Sequence, residues 1–161
     1  MRAMTGGMRA LGIVALLGGA CGGGATTEEP LGPSIMPADY AARFVEVRDC
    51  RSSTDHLGHI RVKADRDTVV AYNNGPFPFP AGTTFVKEEF SDAPCQASTG
   101  FTIMRKEAAG YDPVFGDWHW QRLDAAGKVV TDGKGTGSAA RCASCHYAIA
   151  CRQRDFTCTE P

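Results

Sequence analysis

The chain has 161 residues, with 17 Lys and Arg against 18 Asp and Glu and a formal net charge of −1. That balance leaves no broad electrostatic case for nucleic acid or for an acidic membrane surface as partner. Seven cysteines is a high count for this length and asks for an explanation by cofactor, lipid or disulfide.

The N-terminus has the grammar of an export signal. Arg2 and Arg9 supply positive charge, and residues 10–19 form an apolar run too short to span a bilayer. Leu16-Leu17-Gly18-Gly19-Ala20-Cys21 resembles a bacterial lipobox, although Gly18 stands where Leu is more usual. Cys21 is thus expected to be the lipidated first residue of the mature chain, anchored to a membrane because more than one acyl chain gives stable attachment. A plain signal peptide cleaved nearby is the alternative. Residues 1–20 are read as a lipoprotein-type signal peptide. Residues 21–37, rich in Gly, Thr, Glu and Pro, have little to bury and are read as a flexible tether. Residues 38–161 make one domain. The expected location is the periplasm or the outer membrane.

Within the domain, residues 38–45 suggest a short helix with Tyr40 and Phe44 on one side. Residues 60–63 suggest a strand, and residues 65–72 a helix stopped by Asn73-Asn74-Gly75-Pro76. Phe77-Pro78-Phe79-Pro80 is a stiff loop, because alternating prolines fix φ and remove donors. Residues 83–90, 101–106 and 117–123 read as strands separated by turn residues. Asp124-Ala125-Ala126-Gly127 is a hairpin turn into a further short strand at 128–131, followed by a Gly-rich loop over 132–138. Residues 138–150 predict a C-terminal helix with Ser138 as cap. Three or four antiparallel strands with helices at both ends give an α+β fold.

That last helix carries Cys142-Ala143-Ser144-Cys145-His146. C-x-x-C-H is the spacing that attaches a c-type haem: two thiols reach the two vinyl groups, and the His that follows gives iron a nitrogen. A thioredoxin-like dithiol would want a βαβ context, and a zinc site a second ligand pair at tight spacing. Neither is present. The sequence therefore predicts one covalently attached haem c held by Cys142 and Cys145 with His146 on the metal. With Cys21 on lipid, Cys50, Cys95, Cys151 and Cys158 remain, an even set that suggests two disulfides. Three pairings are open, and a bridge from Cys50 or Cys95 to the tail would pin the segment after the haem motif.

Other residues have competing roles. Lys87 shares a strand face with Phe85 and Glu89, because side chains alternate, and burial would favour its neutral amine; a rim position is the alternative. Glu88 faces the other way. Phe77 and Phe79 either line a distal cavity or fill a small core. Arg61 either donates to a distal ligand or pairs with Asp55 or Asp65. Met104, His56 or His59 as a sixth ligand would make an electron-transfer site. His119 alternates with Trp118 and Trp120 and is expected on the outer face. Glu89 and Glu107 are the carboxylates from which a base could be drawn.

The order of motifs resembles one family. Gly82-Thr83-Thr84-Phe85-Val86-Lys87-Glu88 is similar to the G-T-x-x-x-K-E strand of the cytochrome P-460 family. Gly100-Phe101-Thr102-Ile103-Met104-Arg105-Lys106 is similar to its G-x-x-x-M-x-K strand, Asp117-Trp118-His119-Trp120 to its tryptophan strand, and the C-terminal C-x-x-C-H completes the order. The cytochromes c′-beta are relatives in fold. The resemblance implies a curved antiparallel sheet with flanking helices, the C-terminal one carrying the haem motif. It implies five-coordinate iron on His146, an open sixth position and a hydrophobic distal pocket. Lys87 takes the place of a lysine that is cross-linked to the macrocycle in catalytic members, and Arg61 that of a distal arginine. Catalytic members oxidise hydroxylamine; the c′-beta relatives bind nitric oxide or carbon monoxide. A periplasmic redox partner and a homodimer are further implications, and the four extra cysteines depart from the family pattern.

Overall fold

The computed structural model of the protein describes residues 30–158. The signal segment and the lipidation site Cys21 lie outside the described residues. One antiparallel sheet of six strands organises the domain, with neighbours in chain order. Its strands are β1 (Phe44–Ser53), β2 (Gly58–Asp65), β3 (Thr84–Phe90), β4 (Ser98–Lys106), β5 (Trp118–Asp124) and β6 (Val129–Lys134). The helices are short: α1 (Tyr40–Arg43), α2 (Val69–Asn74), α3 (Ala140–His146) and α4 (Ile149–Arg152). The sheet is open, with β1 and β6 at its edges.

The α+β class agrees with the sequence, but there are more strands than it suggested. The helix expected over 38–45 stops after Arg43, and a ten-residue strand begins at Phe44. This strand is polar along most of its length, because it is an edge strand and gains its partners from β2 alone. The helix expected over 138–150 is broken: α3 ends at His146, and Ala148 takes an extended conformation before α4.

Both sheet faces are covered. On the inner face Val62, Ala64, Phe85, Trp118 and Trp120 pack with Tyr72 of α2 and with Ala139 and Ala143 beside and on α3. On the outer face Phe44, Val86, Ile103 and Leu123 pack with Ile35 and, at the margin, Tyr40. Ile35 alters the reading of the tether. Residues 32–35 dock on the outer face: Gly32 N donates to Asp132 Oδ2 (2.7 Å), Ile35 N to Gln121 Oε1 (2.8 Å), and Gln121 Nε2 to the Pro33 carbonyl (2.9 Å). A Gly- and Pro-rich stretch docks here because Gln121, 1% exposed, needs backbone partners. The domain thus begins several residues before position 38.

The four remaining cysteines pair as Cys50–Cys95 and Cys151–Cys158. Neither bridge ties the tail to the sheet. The first links β1 to the β3–β4 connection, and the second closes the turn after α4.

The outer core sets a stability expectation. Ile103 is 1% exposed and sits between the outer-face neighbours of a central strand. Ile103→Ala should lower unfolding free energy by about 2–5 kcal/mol, measured as a shift in urea midpoint at unchanged slope.

Candidate functional site

The inner face opens into a cavity of about 690 Å³, within the ~300–1,000 Å³ range of cofactor and small-molecule sites. Its floor is sheet: Ile60 and Val62 from β2, Phe85, Lys87 and Glu89 from β3, Thr102 and Met104 from β4, Trp120 and Arg122 from β5. Tyr72 closes one side, the β1–β2 turn contributes Asp55, His56 and Leu57, and α3 contributes Cys142, Cys145 and His146.

The α3 residues form a coherent donor set. Cys142 and Cys145 are the free cysteines among the described residues. Burial pushes the Cys142 thiol above its ordinary pKa. His146 Nδ1 lies 2.7 Å from the Phe156 carbonyl. A carbonyl can only accept, so Nδ1 carries the proton and Nε2 keeps its lone pair. Burial, reinforced by the Lys87 charge, lowers the His146 pKa to about 3, so the ring stays neutral. Trp120 packs edge-on against it at 4.8 Å between centroids. A neutral imidazole with a fixed tautomer beside two unbridged thiols and an apolar cavity is what a c-type haem needs from a polypeptide.

Opposite these residues is a hydrogen-bonded row that the sequence did not reveal. Lys87 Nζ lies 2.8 Å from His56 Nε2, and His56 Nδ1 lies 3.0 Å from Glu89 Oε1. Arg122 Nη2 donates to Glu89 Oε2 at 3.2 Å. An ionised carboxylate only accepts, so His56 donates from Nδ1 and its Nε2 accepts from Lys87. Burial lowers the Lys87 pKa from 10.5 to about 8, against the opposing pull of Glu89 and Asp55. Burial by itself would raise Glu89, but the hydrogen bond from His56 and the Arg122 guanidinium outweigh it and hold the carboxyl below its usual range. The sequence offered His56 as a possible sixth ligand, but its link to Lys87 escaped it, because His56 sits in a turn 31 positions away. No periodicity connects the two.

Several expectations are corrected by position. Arg61 does not approach the cavity. It alternates with Ile60 and Val62, so it faces outward, where it pairs with Glu46 (3.0 Å) and Glu88 (3.4 Å) rather than with Asp55 or Asp65. The guanidinium groups at the cavity are those of Arg122 and Arg141, and Arg122 is the one bonded to Glu89. Phe77 and Phe79 belong to the core beside the cavity: Phe79 packs edge-on against Phe85 and Trp118, and Phe77 packs edge-on against Phe79 beneath Arg154. The aromatic walls are Phe85, Tyr72 and Trp120. Glu107 is drawn to Arg105 and His119 on the outer face, which leaves Glu89 as the carboxylate of the pair that reaches the cavity. His119 faces outward as expected and bonds Asp132 at 2.7 Å. Glu88, also outward, is buried and pinned by Tyr40 and Lys63. Met104 is on the cavity floor.

The lowered Lys87 pKa has a thermodynamic consequence for the polypeptide alone. Between about pH 8 and 10.5 the folded lysine binds fewer protons than the unfolded one, so its own contribution to stability rises with pH across that window. Lys87→Met should remove that contribution, so that wild type gains stability relative to the variant from the low to the high end of the window, measured by urea denaturation of both proteins at each end.

Comparison with known proteins agrees with this geometry. No curated protein matches the chain. The family model described as Cytochrome P460 matches residues 37–159, which span the sheet, the cavity and α3. That match covers most of the chain and implies a haem cofactor; the chain belongs to the cytochrome P460 family.

Proposed function

We propose that the protein is an exported monohaem c-type cytochrome whose cavity binds, and with suitable partners oxidises, a small nitrogen compound such as hydroxylamine or nitric oxide. The observation that carries this reading is the convergence of two groups of side chains on one cavity: Cys142, Cys145 and His146 from α3, and Lys87, His56 and Glu89 from the sheet and its first turn.

Cys142 and Cys145 would hold the macrocycle and His146 Nε2 the iron. When bound, the haem supplies a one-electron redox couple and a coordination position for a small ligand. The chain's own residues supply the rest. Phe85, Tyr72, Met104 and Trp120 give the cavity apolar walls, which strengthen charge interactions beside them. Lys87, brought by burial to a pKa of about 8, can release its proton close to neutral pH and then presents a lone pair to the cavity. A proton taken up by the Lys87–His56 pair along their existing hydrogen bond is balanced by the Glu89 carboxylate behind His56. Arg122 keeps Glu89 ionised, so the row holds a negative charge to balance that proton. This supplies the base that oxidation of an N–H or O–H compound requires. Covalent attachment of Lys87 to the macrocycle, which the resemblance implies, would draw on the same amine once deprotonated and would leave His56, backed by Glu89, to take the proton. Lipidation at Cys21, a periplasmic or outer-membrane location, a periplasmic redox partner and a homodimer belong to this proposal and rest on the sequence reading alone.

Expression with haem-maturation machinery, followed by intact mass and a pyridine haemochrome assay, should give one covalently retained haem per chain. Loss of pigment from Cys142→Ala with Cys145→Ala is expected, and a colourless wild type would refute the reading. Carbon monoxide should change the reduced spectrum; sharp bands indifferent to it would favour a six-coordinate electron carrier. His56→Gln should leave haem content unchanged and lower hydroxylamine oxidation by ~10²–10⁴-fold, the usual worth of a positioned base. A reduced-state spectrum identical in wild type and Lys87→Arg would argue against a lysine-modified macrocycle.

A further inference from the structure

Beneath the cavity is a buried ion pair that the proposed function does not use. Lys106, at the end of β4, and Asp155, in the turn after α4, are each 7% exposed. Lys106 Nζ lies 2.7 Å from both carboxylate oxygens of Asp155. Asp155 Oδ2 also accepts from Phe79 N at 2.9 Å, and the Asp155 carbonyl accepts from Trp118 Nε1 at 2.8 Å. Three sheet-side groups thus grip a single residue of the tail.

The turn they grip is conformationally costly. Asp155 and Phe156 both have positive φ, at 50° and 65°. That region is unfavourable for non-glycine residues, particularly bulky ones, and persists only where surroundings over-determine it. The surroundings do so here. The Phe156 ring lies over Gly116, where an added Cβ would come within 2.6 Å of it and 3.0 Å of Asp155 Oδ1. The Cys151–Cys158 bridge closes the segment. What the turn presents is the Phe156 carbonyl, the acceptor for His146 Nδ1.

We propose that the Lys106–Asp155 pair is a positioning device for His146: by fixing the Asp155–Phe156 turn it aims the Phe156 carbonyl at Nδ1 and so sets the donor strength of Nε2. A buried pair is weak support for stability, since well-packed apolar residues often do as well. Its directionality, with three donors converging on Asp155, is what an apolar replacement would lose. An acceptor on Nδ1–H raises the basicity of a ligating imidazole, which favours the more oxidised metal. This inference rests on His146 being the metal ligand of the proposed cytochrome.

The test uses the holoprotein and three variants: Lys106→Gln, Asp155→Asn and Lys106→Arg. Reduction potential, the iron–imidazole stretching frequency from resonance Raman, and thermal midpoint are measured on each. Lys106→Gln and Asp155→Asn should raise the potential and lower the stretching frequency, with Lys106→Arg between them and wild type. Wild-type potential and frequency in variants that have only lost thermal stability would overturn the proposal. If neither disruptive variant folds, Trp118→Phe decides, since it removes one donor to Asp155 and keeps an aromatic ring: a smaller shift of the same sign supports the device, and wild-type values overturn it. A wild type that carries no haem refutes the cytochrome reading itself, and this inference with it. A haem-bearing set with unmoved potentials refutes the inference alone.

Discussion

Side chains on a strand alternate between faces, and in β3 both faces are buried, so each residue is committed to one of two environments. Val86 and Glu88 enter the outer core with Ile103 and Tyr40, while Phe85, Lys87 and Glu89 face the cavity. A slip of one residue would exchange the two sets. It would bring Glu88 into the cavity and put Lys87 among apolar side chains. Five cross-strand neighbours hold the register on the β2 side from Ile60 to Ala64, and β4 holds the other side. The site therefore depends on sheet register before it depends on any single side chain.

The outer face is more than packing for the inner one. Residues 32–35 lie along it, and Asp132 connects that segment to His119 as well as to Gln121. Tyr40 and Lys63 close over Glu88 from the same side. The sheet is thus covered on one side by an extended segment and a single helical turn, and on the other by α2, α3 and the tail. An open sheet without both covers would expose Val86 and Ile103, or Trp118 and Trp120, to water, at a cost of roughly 1.5–3 kcal/mol for each large side chain.

The cavity has a division of labour. The α3 side is neutral and softly basic: two thiols and an imidazole whose tautomer is fixed by a backbone carbonyl. The sheet side is a row of titratable groups already connected by hydrogen bonds. Burial depresses both Lys87 and His146 toward their uncharged forms, and the single firm anion among them, Glu89, is the one Arg122 supports. Low dielectric surroundings favour this pattern, because an uncompensated charge there would be costly and a bonded row is not.

Some of this was legible in the sequence because it is local. C-x-x-C-H at residues 142–146 carries its chemistry in its spacing, and the alternation of Phe85, Lys87 and Glu89 needs only knowledge that the segment is a strand. The family likeness was carried by the order of such segments. Arg61 and Phe77 with Phe79 went the other way: strand phase at β2 and the packing of a proline-rich loop depend on neighbours that the local sequence does not name. The partners of His56 were invisible for the same reason, since a turn residue acquires them only when the β1–β2 hairpin folds over β3. The cysteine pairing and the Asp155–Phe156 turn behind His146 are likewise contacts between segments distant in the chain or shaped by the surface they pack on. Sequence by itself determined which groups could act as thiols, imidazole and amine; tertiary structure decided which of them meet, because proximity across a sheet is set by register and burial.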